Sequence, residues 1–101
     1  MNFGLPDEAV AMIKHQLAFY PQVLAARMFG SRAIGNYRPN SDIDIVIYGE
    51  IDFDLHAKIL GLLDALPLPY KFDVVNFATL DDDSLKEHIA KYSKELYKKT
   101  T

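Results

Sequence analysis

Phe29-Gly30-Ser31-Arg32-Ala33-Ile34-Gly35 and, after a short loop, Asn40-Ser41-Asp42-Ile43-Asp44-Ile45-Val46 decide how this chain folds. Alternate residues of a β-strand project to opposite faces, so Asp42 and Asp44 share one side while Ile43, Ile45 and Ile47 take the other. The isoleucine row drives the strand into a core and holds the acidic pair on the far face. Two adjacent carboxylates repel, and a divalent cation is the natural remedy. Upstream, Gly30 lets the backbone turn sharply and approach a ligand closely, because no Cβ obstructs it. A helical turn beginning at Ser31 or Arg32 would aim free N–H groups at that corner, where the Ser31 hydroxyl adds a donor for phosphate.

Outward from this stretch, Val23 to Phe29 reads as a buried strand stopped by Gly30, and Asp42 to Tyr48 as the acidic strand. Upstream, Pro6-Asp7-Glu8 is a helix-start signal, and Val10, Ile13, Leu17 and Tyr20 recur at helical spacing before Pro21. Leu55, Ile59, Leu62 and Leu66 mark a second amphipathic helix, closed by Pro67 and Pro69. Tyr70 to Phe77 forms a third strand. Thr79-Leu80-Asp81-Asp82 reads as a cap for a last helix carrying Leu85, Ile89, Tyr92 and Leu96. The order helix, strand, strand, helix, strand, helix predicts an α+β fold, a small mixed sheet with helices packed against it, one layer of each.

The third strand supplies a further candidate. In Lys71-Phe72-Asp73-Val74-Val75-Asn76, Phe72 and Val74 take one face and Asp73 the other, with Val75 and Phe77. If this strand neighbours the Asp42/Asp44 strand, three carboxylates converge on one patch. Hard cations held between carboxylates and substrate phosphates are what phosphoryl and nucleotidyl transfer need.

Composition bounds the rest. The 101 residues suit one domain with one core, residues 1–101, and half of them are hydrophobic. Cysteine is absent, which excludes disulfides and thiolate metal sites and fits a reducing cytoplasm. The start carries no signal-peptide pattern, and no run is long enough to span a membrane. A net charge of -3 argues against a nucleic-acid-binding surface. Lys86, Lys91, Lys94, Lys98 and Lys99 are read as cations complementing the end of the last helix.

Taken together, these motifs resemble the signature of the DNA polymerase beta-like nucleotidyltransferase superfamily, and more closely its minimal nucleotidyltransferase (MNT) branch of small domains. The resemblance covers essentially the whole chain. It implies that Gly30, Ser31 and Arg32 hold the phosphates of a nucleoside triphosphate. It implies that Asp42 and Asp44 bind two magnesium ions, and that Asp73 binds the catalytic one and helps activate an acceptor hydroxyl. It further implies a cytoplasmic antitoxin, paired with a small helical HEPN toxin, that transfers AMP from ATP onto its partner. One departure is Ile34, where the family often carries a second arginine, so a phosphate-neutralising charge is weaker here or comes from Arg32 or Arg38.

Val46 stands at the third ligand position of a calcium loop, which excludes an EF-hand. Ser31 has no evident histidine partner for a hydrolase triad, and His15, His56 and His88 read as helix-face residues. Arg32 could equally be a structural ion-pair partner. A non-catalytic module that inhibits by contact, and an antibiotic-modifying transferase, are the rival functions. A chain this short has little room for both a base pocket and an acceptor pocket, so the acceptor is expected to be another protein.

Overall fold

Residues 3–100 are described by a computed structural model. Helix α1 (Asp7–Ala18) follows Pro6 and turns Ala9, Val10, Ile13 and Leu17 inward. Strand β1 (Val23–Phe29) ends at Gly30, and the short helix α2 (Ser31–Ile34) closes on Gly35 in the left-handed conformation. Strand β2 (Ile43–Gly49) leads to helix α3 (Phe53–Asp64), whose Asp52 cap accepts the Leu55 N–H at 2.8 Å. Strand β3 (Phe72–Asn76) runs into a 3-10 turn, Phe77–Thr79. Helix α4 (Asp83–Tyr92), capped by Asp82, precedes strand β4 (Lys94–Lys98).

The four strands order as β3-β2-β1-β4. Strand β1 pairs antiparallel with both β2 and β4, while β2 and β3 run parallel through the α3 crossover. The sheet is mixed, as expected from the sequence. Its alternation sets what each face meets. Ile43, Ile45 and Ile47 are fully buried with Ile13, Leu17, Ile59 and Leu63, placing α1 and α3 on one face. On the other, Phe29 and Val46 pack with Ile89 of α4 and the half-buried Val75 and Leu85. Helices therefore cover both faces, rather than forming a single layer.

Two expectations are corrected. The last helix stops at Tyr92, and Leu96 belongs to β4, which adds a fourth strand beside β1. Lys94 and Lys98 consequently line a sheet edge, where they complement no helix dipole and discourage strand addition. The strand limits also shift: β2 begins at Ile43, leaving Asp42 just before it, and β3 is shorter than Tyr70 to Phe77.

Strand β3 is pinned by side-chain hydrogen bonds from Asn76 and His56. Asn76, buried, donates to the Ile51 carbonyl at 2.7 Å and accepts the Ala78 N–H at 3.2 Å. The Ile43 N–H donates to the Lys71 carbonyl, so residues 71, 73 and 75 carry the parallel ladder and Val74 turns its carbonyl to the open edge. His56 of α3 meets that carbonyl through Nε2 at 2.6 Å.

Ile45 is buried where both helices meet the sheet. Ile45→Ala should lower unfolding free energy by about 2–5 kcal/mol in urea titrations, with unchanged slope.

Candidate active site

The site sits where β1 ends and β2 and β3 begin. Parallel pairing sets Asp44 opposite Asp73, and antiparallel pairing sets the same Asp44 opposite Phe29, the residue before Gly30. Asp44 thus stands between the other acidic strand and the Gly-Ser corner. Asp42 and Asp73 are exposed, whereas Asp44 is half-buried. A Cβ on Gly30 would collide with the Asp44 carboxylate, and Gly30 has φ 73°. Glycine is required here on two counts, close approach and backbone conformation.

Crowding shows in the Asp44 proton affinity. Burial, then the charges of Asp73 and Asp42, push its pKa from 3.8 up to about 6, against a smaller opposing pull from Arg32. Among the described residues, no three His, Asp or Glu side chains already surround a common point at ligand distance. The donor set nevertheless suits a hard divalent cation: carboxylate oxygens only, with a mutual repulsion that positive charge would relieve.

Arg32 takes its structural role, with carbonyls in place of a carboxylate partner. It is 2% exposed, and Nε and Nη2 donate to the Ser41 carbonyl at 3.1 and 2.8 Å. Nη1 donates to the Phe3 carbonyl at 3.1 Å and Nη2 to Pro39 at 3.3 Å. Tyr37 and Tyr70 lie beneath its guanidinium, 5.4 and 5.0 Å from ring centroid to Cζ. The guanidinium therefore fixes the loop that delivers Asp42, and the reading of Arg32 as a phosphate contact is not supported. Arg38 is exposed, and Ile34 is exposed and adds no charge.

His88 is more than the helix-face residue that the sequence predicts. From α4, its Nε2 accepts the Gly30 N–H at 3.1 Å. No local pattern in the sequence joins these two positions.

A mixed sheet with two strand-borne carboxylates beside a Gly-Ser corner defines a polymerase beta-like nucleotidyltransferase domain. The chain belongs to the family described as Polymerase beta, Nucleotidyltransferase, which matches residues 11–101. A Methanocaldococcus jannaschii protein provisionally named protein adenylyltransferase is 41% identical over 58 residues, 57% of this chain and 53% of that protein. The matched segment thus spans about half the length of that relative. Among solved structures, a chain of a toxin–antitoxin complex with AMP-PNP superposes with TM-score 0.71 and 21% identity, covering 95% of this chain and 76% of that one. A chain from the complex of tri-AMPylated Shewanella oneidensis HEPN toxin with MNT antitoxin gives TM-score 0.69 and 20% identity, covering 91% and 71%. These two likenesses establish the fold. No helix among the described residues is long and apolar enough to cross a membrane.

Folding raises the Asp44 pKa, so the native state keeps a proton that the unfolded chain releases; this group weakens the fold as pH rises from about 4 to about 6. Asp44→Asn should raise the melting temperature at neutral pH, by an amount that shrinks towards pH 4, and a carboxyl NMR titration should show Asp73→Asn lowering the Asp44 midpoint. Arg32→Lys should lose about 2–4 kcal/mol in denaturant melts, because an ammonium cannot span the carbonyls of Phe3, Pro39 and Ser41.

Proposed function

We propose that this chain transfers AMP from ATP onto a hydroxyl of a small helical HEPN-type toxin, acting as its antitoxin in a reducing cytoplasm. The observation that carries this reading is the placement of Asp44, in register with Asp73 on one side and abutting Gly30 on the other. Family membership supports nucleotidyl transfer. The solved relatives, one with AMP-PNP and one with an AMPylated HEPN toxin, support the nucleotide and the acceptor.

The chemistry assigned to the residues is a single displacement. The acceptor oxygen attacks the α-phosphorus, forming one P–O bond as the bridge to the β-phosphate breaks and pyrophosphate leaves. Asp73, the exposed member of the pair, orients the attacking hydroxyl and takes its proton. Gly30 and Ser31 hold the terminal phosphates through N–H groups and the serine hydroxyl. Arg32 keeps Ser41 and Asp42 in place through the carbonyls it binds.

Magnesium is the cofactor this reading requires, as two ions with bound nucleotide. Asp42, Asp44 and Asp73 would hold it, and it would supply charge neutralisation for carboxylates and triphosphate alike. The raised Asp44 pKa supports this, since a group that resists a second negative neighbour gains most from a cation.

The test mixes the purified chain, its co-expressed partner, magnesium and α-labelled ATP. Label should appear on the partner and fall at least about a hundredfold in Asp42→Asn, Asp44→Asn or Asp73→Asn. Undiminished label in those variants would refute the site. Partner inhibition that survives in inactive variants would instead point to an antitoxin acting by contact alone.

A further inference from the structure

Of the side chains near the Gly-Ser corner, one has no place in the chemistry above. His88 comes from α4, which covers the same sheet face as Asp44 and Asp73. Its Nε2 accepts the Gly30 N–H at 3.1 Å across 58 positions of sequence. Phe29 meets the ring edge-on at a centroid distance of 6.2 Å, and Tyr92 lies at 5.3 Å and 47°. The imidazole is therefore held over the corner by aromatic contacts on two residues. Its Nε2 takes up the Gly30 N–H, the donor that a phosphate oxygen at this corner would need.

The charge balance at the corner makes this contact consequential. The Asp44 carboxylate abuts Gly30, so an anion bound there meets a negative neighbour. Arg32 is buried and bonded to backbone carbonyls, and Ile34 brings only an exposed alkyl group. His88 meets the corner through a ring nitrogen, a group that can also carry a hydrogen and donate it.

We propose that His88 is a phosphate-contacting residue of the nucleotide site, selective for the terminal phosphates of a triphosphate. This rests on the nucleotidyltransferase reading and adds a ligand contact to it. Nε2 is the acceptor in its contact with the Gly30 amide. A phosphate oxygen is the stronger acceptor and takes that N–H. Nε2 then faces the same oxygen carrying a hydrogen, with the lone pair moved to Nδ1, and donates to it. The imidazole thus passes from placeholder to ligand, supplying a donor that position 34 does not.

The test measures binding of inorganic tripolyphosphate, ATP and AMP, each with magnesium, to the full chain and to His88→Ala and His88→Gln by calorimetry. His88→Ala should weaken tripolyphosphate and ATP about 10-fold or more, as for loss of a hydrogen bond to a charged group, and leave AMP within about twofold. His88→Gln, which can still accept and donate, should recover most of the affinity. In the wild type, tripolyphosphate should move the ¹⁵N shift of His88 Nε2 from the acceptor to the donor range. Equal weakening of all three ligands, or a fixed Nε2 shift, would reduce His88 to a tether for α4 and overturn the proposal. Unchanged binding in His88→Ala would overturn it while leaving the transferase reading intact. A wild-type chain that binds neither triphosphate would sink both.

Discussion

Two carboxylates share one rung of a parallel strand pair, and much of the molecule serves to keep them there. Asp44 opposite Asp73 is an arrangement that free chains avoid, since burial and like charge both oppose ionisation of the inner member. What holds it is the apolar side of the same strands. Ile43, Ile45 and Ile47 on β2 and Phe72 and Val74 on β3 are buried beneath α1 and α3, and a shift of one residue would exchange isoleucines for aspartates in the core. The acidic face is thus imposed by the hydrophobic one. Hydrogen bonds from Asn76 and His56 fix β3 lengthwise, so that the register has polar support as well.

The corner opposite that rung is organised by a different device. Arg32 gathers carbonyls from the N-terminal segment, from Pro39 and from Ser41, and two tyrosines cover its faces. A loop otherwise rich in turn-forming residues is thereby fixed next to the strand it feeds. Burying a guanidinium is unfavourable unless its donors are satisfied, and here the satisfaction comes from the backbone carbonyls of Phe3, Pro39 and Ser41. Site and scaffold are consequently the same structure at this point.

Residue pattern made the central features legible. Alternation in Asp42 to Ile47 and in Phe72 to Val75 gave both strands and the correct faces, and the glycine before Ser31 gave the turn. The C-terminal segment misled because Leu96 satisfies two periods. It continues the helical series Leu85, Ile89, Tyr92, and it also alternates between Lys94 and Lys98 as a strand residue does. No glycine or proline marks the break at Ser93, and its side chain instead meets Arg27, whose Nε donates to the Ser93 hydroxyl at 2.7 Å. Arg32 and His88 escaped for another reason. Their roles depend on groups brought near only by folding, and no local spacing encodes them.

The two margins of the sheet are treated unlike its faces. At β3 the outward Val74 carbonyl is already taken by an imidazole, and at β4 lysines stand where a neighbouring chain would have to align. Two copies meeting margin to margin would bring ammonium groups together, which disfavours endless ribbon-like stacking. Strand addition is thereby disfavoured at both margins, by an occupied carbonyl on one and by lysine charge on the other.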